Sequence, residues 1–272
     1  APRTDTVSIV RANARRVEES LRVLEEMAPL PPLGWEAATF SQARFKLYDL
    51  EKRLVSRLAR REKLERLKGL YLVLDVQALR GRDDLEVAAA AIAGGAKTIQ
   101  LRDKQRDKVE LLKVAQGLKK LCQEQGVLFI INDHLDLALA CDADGLHLGQ
   151  DDLPPSQARR FLAIDKIVGL STHSVEQAEK AQEAGADYIA LGSIYPTTSK
   201  GSVVVIGVET LRQVRQKVSL PVVAIGGINS ANASEAIAAG ADAVAVIGAV
   251  MGVEDVAKAA QRISSLFEDK PG

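Results

Sequence analysis

The residues of this chain that could do chemistry stand in short clusters, each closing a run of apolar, β-branched residues. The first is Gln100-Leu101-Arg102-Asp103-Lys104. The period of two of a strand puts Gln100 and Arg102 on one side and Ile99 and Leu101 on the other, with Lys104 just beyond. An amide, a guanidinium and an ammonium aimed together suit an anionic ligand. Asp103, Arg106, Asp107 and Lys108 read as solvated loop charge. The second and third clusters are Ile131-Asn132-Asp133 and Gly149-Gln150-Asp151-Asp152. Neighbouring strand ends would bring Asp133 to Asp151 or Asp152. Such oxygen ligands suit Mg²⁺, which takes one or two protein carboxylates and keeps several waters. Taken alone, Asn-Asp is also an ordinary turn, and Asp-Asp before Leu153-Pro154-Pro155 an ordinary helix entry.

Two glycine clusters suit phosphate: Gly226-Gly227 after Val222-Val223-Ala224-Ile225, and Gly248 after Val244-Ala245-Val246-Ile247. Backbone N–H groups in such turns can approach an anion closely. Between these and the earlier clusters, Pro196-Thr197-Thr198-Ser199-Lys200-Gly201 supplies hydroxyls and a cation, without the Gly-x-x-x-x-Gly-Lys spacing of a nucleotide-binding loop. Other chemistries are poorly served. His134, His147 and His173 lack zinc-ligand spacing, and no Gly-x-Ser-x-Gly elbow occurs. His147 alternates with Leu146 and Leu148 and reads as a hydrogen-bonded structural imidazole. Cys122 and Cys141 read as packing residues.

These clusters need a scaffold that gathers strand ends. From Gly69 onward, eight β-branched runs (70–74, 98–101, 128–131, 145–148, 166–170, 188–191, 222–225 and 243–247) alternate with Ala/Glu/Lys/Leu-rich helical stretches. Gly94-Gly95-Ala96, Gly185-Ala186 and Gly240-Ala241 mark helix ends before strands. Eight strand–helix units in about 200 residues predict a (β/α)₈ TIM barrel, whose functional residues sit at the C-terminal ends of the strands. In that fold, phosphate commonly binds after strands seven and eight. The first strand ends Leu74-Asp75-Val76-Gln77, with no Gly-x-Gly-x-x-Gly turn, which excludes a dinucleotide-binding sheet.

The first 68 residues are different. They carry a net charge of +5 against −5 for the remainder, and hold only Gly34 of the 20 glycines. Apolar residues at helical spacing predict one helix over about 8–27, a break at Pro29, Pro31, Pro32 and Gly34, and a second helix ending near Lys68. The expected organisation is therefore a small helical hairpin over 1–68 and a barrel over 69–272. The balanced total, 36 basic and 36 acidic residues, argues against a general nucleic-acid binder. No apolar run reaches the roughly 18 residues of a membrane span. Two cysteines give no disulfide framework, so the expected setting is a reducing cytoplasm. The apolar face of the hairpin needs a partner, its own barrel or a second subunit, which leaves a homo-oligomer open.

In this order, Gln100 to Lys104, Ile131 to Asp133, Gly145 to Asp152, Gly169 to Ser174, Ala186 to Gly192, Pro196 to Lys200 and Ile225 to Ile228 resemble thiamine phosphate synthases over essentially all of 69–272. The resemblance implies a transferase of thiamine biosynthesis. It would join 4-amino-5-hydroxymethyl-2-methylpyrimidine diphosphate to hydroxyethylthiazole phosphate, giving thiamine phosphate and pyrophosphate. It further implies that Gln100, Arg102, Lys104, Asn132, Ser171 and Lys200 hold the pyrimidine diphosphate. Asp133 and Asp152 would bind Mg²⁺, with Asp151 a less critical neighbour. Thr197, Thr198, Ser199, Gly227, Ile247 and Gly248 would surround the thiazole phosphate. Ser199 stands where Thr is usual and Gly248 where Ser is frequent, so one side-chain phosphate contact is lost. In such enzymes the C–O bond to pyrophosphate ionises first, and Arg102, Lys104 and Lys200 would stabilise the leaving charge.

Three rivals are weighed against this reading. A thiazole tautomerase shares the barrel but carries a histidine where this chain reads Gly192-Ser193-Ile194. A non-catalytic thiamine-ligand binding module would not need the intact Lys and Asp set. A phosphosugar barrel fits the glycine turns but not Gln-x-Arg-x-Lys or Asn-Asp. The hairpin, with Ala12-Asn13-Ala14-Arg15-Arg16 and Arg44-Phe45-Lys46-Leu47-Tyr48, resembles part of a module fused ahead of some bacterial synthases, larger forms of which are linked to hydroxymethylpyrimidine phosphate kinase activity. For this short piece a structural or docking role is expected rather than a kinase.

Overall fold

The computed structural model describes residues 6–31, 33–197 and 204–268 and divides the chain into two compact units, 1–62 and 63–272. The division falls six residues before the break in composition at 68/69. The first unit contains α1 (Thr6–Met27) and most of α2 (Ala37–Arg66), close to the expected bounds. Arg44 donates to Glu25 at 3.1 Å and lies over the rings of Phe45 and Tyr48. Its buried apolar residues are few (Ala14, Ala28 and Val55), whereas Val17, Leu24, Met27, Phe45, Leu50 and Leu54 are exposed.

In the second unit, β1 (Gly69–Asp75), β2 (Ala96–Arg102), β3 (Leu128–Asn132), β4 (Gly145–Leu148), β5 (Ile167–Thr172), β6 (Tyr188–Leu191), β7 (Val222–Ile225) and β8 (Ala243–Val246) close in sequence order into one parallel barrel. The eight expected runs are these eight strands. Around them, in chain order, lie α3 (Val76–Leu79), α4 (Asp84–Ala93), α5 (Lys108–Glu124), α6 (Leu135–Ala140), α7 (Pro155–Ala158), α8 (Val175–Glu183), α9 (Gly207–Lys217), α10 (Ala233–Ala238), α11 (Gly248–Met251) and α12 (Val256–Ser264). Helix starts follow the sequence: Asp83, Asp107, Ser174 and Asp255 each accept a hydrogen bond from an N–H of the first turn. No described helix is long and apolar enough to cross a membrane.

Alternation along each strand sorts the core into two layers. Leu70, Leu72, Ile99 and Leu101 pack between strands and outer helices, whereas Tyr71, Val73, Ile130, Tyr188 and Val223 fill the barrel. Leu67, fully buried, joins this interior layer with Leu64 beside it. The last turn of α2 thus closes the N-terminal end of the barrel. Lys63 reinforces it with ion pairs to Asp165 at 2.8 Å and Asp144 at 3.7 Å, and Arg66 donates to the carbonyl of Gly126.

One device repeats three times at that end. Asp144, Asp187 and Asp242 immediately precede β4, β6 and β8. Their carboxylates accept the backbone N–H of Phe129, Val168 and Val222 in the preceding strands. Each is paired with a cation: Lys119, Arg159 and Arg215 respectively. These clamps set the register of three strand pairs away from the end that carries the chemistry.

Candidate active site

Because every strand is parallel, all eight C-terminal ends open at one mouth. There a cavity of about 520 Å³ is lined by Gln100, Arg102, Asn132, Ser171, Thr197, Gly227, Ile247 and Gly248, all candidates from the sequence. They come from the ends of β2, β3, β5, β7 and β8 and the segment after β6. Lys104, Asp133 and Asp152 stand just beyond the ends of β2, β3 and β4 and are not part of that lining. Thr198, Ser199 and Lys200 lie outside the described residues.

On the cationic side, Arg102 is held by a hydrogen bond to Asp75, the last residue of β1. The other oxygen of Asp75 accepts the N–H of Gln77, so the carboxylate is fixed at both ends. Lys104 reaches to within 3.5 Å of Asp133 with its side chain largely in solvent. Arg106 turns away from this group and makes a two-pronged contact with Asp84, with Asp103 beside it; both Arg106 and Asp103 are largely buried and paired, which corrects their reading as solvated loop charge.

Asp133 occupies a left-handed backbone conformation (φ 63°), which turns its carboxylate toward Asp152. Burial raises its pKa above the ordinary carboxylate value, and hydrogen bonding with and repulsion from Asp152 raise it further; Lys104 opposes the rise. Asp152 also accepts the N–H of Gly149 at 2.7 Å. Asp151 is exposed. Two like charges pressed together beside one lysine form a donor set that fits a divalent cation. Among the described residues no group of three or more His, Cys, Asp or Glu side chains is placed to hold a metal, so protein ligation would come from this pair, with water or substrate oxygens completing the shell.

The phosphate-like turns are shaped by backbone contact. Gly227 has φ 66°, and a Cβ there would meet the Pro196 carbonyl at 2.4 Å. Only glycine lets the turn after β7 lie against the segment after β6. Gly248 opens the short α11 beside it, with Ile247 as its cap.

Four contributions went unread in the sequence. Tyr71 lines the cavity and Tyr188 is hydrogen-bonded to Tyr71; both are fully buried, and burial raises both phenol pKa values. Their signal was an inward position in a strand shared with a hydroxyl. Asp75 was legible only as the end of β1. His173, from the end of β5, places Nδ1 2.6 Å from the Gly192 carbonyl and lines the cavity. A histidine therefore stands at the start of the sixth loop in space though not in sequence, while Ser193 there donates to the carbonyl of Tyr195. His147 is buried and hydrogen-bonded on both ring nitrogens, as its strand pattern implied. The thiols of Cys122 and Cys141 are pushed up by burial, that of Cys122 to about 12, which suits packing rather than reactivity.

Comparison with known proteins agrees in extent with the barrel. The family model described as Thiamine monophosphate synthase matches residues 70–250, and one described as the ThiD2 family matches residues 1–53. A thiamine-phosphate synthase of Moorella thermoacetica is 48% identical over 195 residues, spanning 71% of this chain and 93% of its own length. One from Synechococcus sp. strain CC9311 is 40% identical over 266 residues, spanning 96% of this chain, hairpin included, and 74% of its own. The solved thiamine phosphate pyrophosphorylase of Pyrococcus furiosus superposes with a TM-score of 0.69 at 41% identity, covering 75% of this chain and 97% of that one.

Proposed function

The chain belongs to the thiamine-phosphate synthase family, a transferase of thiamine biosynthesis, and from that membership we propose how its own residues carry out the reaction. The substrates are the aminopyrimidine diphosphate and the thiazole phosphate. The observation that carries this reading is the convergence of Gln100, Arg102, Asn132 and Ser171 with the Gly227 and Gly248 turns on one cavity. One end offers amide and hydroxyl groups for a ring and cations for a diphosphate. The other offers backbone N–H groups for a monophosphate.

In the reaction, the C–O bond between the pyrimidine methylene and the diphosphate breaks, and its electron pair leaves with pyrophosphate. The thiazole nitrogen then donates its lone pair to the methylene carbon, forming the C–N bond of thiamine phosphate. No proton is transferred in either step, so neither calls for a general base. Arg102 and Lys104 stabilise the departing charge, Arg102 already oriented by Asp75. Asp133 and Asp152 would hold Mg²⁺, which supplies further neutralisation of the diphosphate when bound. Gln100 and Asn132 orient the pyrimidine, and the Gly227 turn keeps the thiazole nitrogen within reach of the methylene.

The test supplies both substrates with Mg²⁺ and follows thiamine phosphate by mass. Product is expected in stoichiometric amount with pyrophosphate. Well-folded protein that binds either substrate and forms no product would overturn the catalytic reading in favour of a binding module.

A further inference from the structure

Beneath the cavity, five polar side chains from five strands form one continuous line through the barrel. Gln100 Nε2 donates to the Tyr71 hydroxyl at 2.7 Å. The Tyr71 and Tyr188 hydroxyls are 3.1 Å apart, Tyr188 lies 3.1 Å from His147 Nδ1, and His147 Nε2 lies 3.0 Å from Ser171 Oγ. Gln100, Tyr71, His147 and Ser171 line the cavity, Tyr188 does not, and every member but Ser171 is buried. The fold makes room for it, since a Cβ on Gly169 would meet the Tyr188 ring at 2.1 Å.

Proton counting gives the line a direction. Tyr71 accepts from Gln100, so its single O–H must point to Tyr188, the other polar atom within reach. Tyr188 then donates to His147 Nδ1, the Nε2–H of His147 donates to Ser171, and the Ser171 O–H is left to face the cavity. Reversing any one bond alone sets two donors or two acceptors against each other. Turning the Gln100 amide over reverses all of them together. The amide orientation at one wall and the hydroxyl orientation at the other are therefore a single choice. With Nε2 of Gln100 on Tyr71, the count leaves the Gln100 carbonyl oxygen and a Ser171 O–H for the cavity.

We propose that Tyr71, Tyr188 and His147 are positioning residues that set the hydrogen-bonding polarity of the cavity and thereby select an amino-substituted pyrimidine over its oxo counterpart. The proposal rests on the assignment of this cavity to the aminopyrimidine diphosphate. An exocyclic amino group donates to the Gln100 carbonyl while a ring nitrogen accepts from Ser171. An oxo group would bring oxygen against oxygen, and the relay resists the amide flip that would relieve it.

Binding is the readout, so that turnover and recognition separate. Calorimetry with the 4-amino diphosphate and with its 4-oxo analogue is expected to show a preference of about 100-fold or more for the amino form, the scale of mismatched buried hydrogen bonds. In Tyr71→Phe and in Tyr188→Phe, which cut the line while leaving Gln100 and Ser171 in the chain, the preference is expected to drop to below about tenfold, with thiazole phosphate binding unchanged. The double variant is expected to be no worse than either single one, because one break already frees the amide. Undiminished preference in the folded single variants, or additive losses, would overturn the relay. Should the variants not fold, ¹⁵N NMR of histidine-labelled wild-type protein decides: Nε2–H with bare Nδ1 is expected at His147, and the opposite tautomer overturns the proposal. Selective binding of the aminopyrimidine without product formation would sink the synthase reading and leave the relay standing. Binding of neither compound would overturn both.

Discussion

Asp133 and Asp152 are the residues whose electrostatics are most informative. Their carboxylates press together beyond the ends of β3 and β4, and Asp152 makes Asp133 harder to ionise. Asp152→Asn keeps an oxygen that can accept the Gly149 N–H and removes one negative charge. Turnover is expected to fall by about 100-fold or more, the scale of losing a strong transition-state stabiliser, with the melting temperature nearly unchanged. The Asp133 pKa should fall toward its ordinary value at the same time, which ¹³C NMR of the carboxyl would follow. The sign for stability is set by the raised folded-state pKa. In wild-type protein without cation, Asp133 favours folding below its unfolded-state value and loses that contribution as pH rises through the raised one. A second residue-level outcome concerns Gly227. Gly227→Ala places a Cβ against the Pro196 carbonyl in a left-handed conformation. The turn must shift, and the KM for thiazole phosphate is expected to rise at least tenfold, with the KM for the pyrimidine diphosphate changed less than threefold; equal effects on both would refute a local role.

Among the elements, strand pairing is secured at the end opposite the cavity. Asp187 is buried, bonded to Val168 N–H and paired with Arg159. Asp187→Ala leaves both partners without the carboxylate and is expected to destabilise the fold by about 3–5 kcal/mol, as for a broken buried ion pair. The fraction that remains folded should turn over as the wild type does, because no cavity residue is touched. Urea unfolding alongside kinetics at low temperature tests both halves of this expectation. A drop in turnover per folded molecule with unchanged stability would mean that the clamp also shapes the mouth. The same logic extends to Asp144 and Asp242, which hold β3 and β7 in the same way.

At the scale of the whole molecule, the boundary between units decides what a truncated chain retains. A chain starting at Lys63 keeps Leu64, Leu67 and the Lys63–Asp165 pair. It is expected to fold and to keep turnover within about threefold, under about 1 kcal/mol of barrier change. A chain starting at Gly69 loses the plug. It is expected to be less stable by about 2–5 kcal/mol, the range for deleting one large buried aliphatic side chain. Denaturant midpoints of the two truncations against the full chain measure the difference, and equal stability would show that the plug is dispensable.

The strands and the candidate residues at the strand ends were legible in the sequence because each depends on local physics. Period-two alternation placed Gln100 and Arg102 inward and Ile99 and Leu101 against the helices, as found. The caps at Asp83, Asp107, Ser174 and Asp255 went unread, and Asp107 was read as solvated loop charge. Joining one strand end to another was a different matter. Asp75 meets Arg102 across 27 positions, Tyr71 meets Tyr188 across 117, and Leu67 fills a barrel whose strands run on to residue 246. No spacing along the chain encodes such contacts. They exist only once eight strands have closed and the inward layer has been stacked. The order of the strands and the residue types at their ends belong to the sequence itself; which hydroxyl meets which ring nitrogen was decided by barrel closure, which buries those groups against one another.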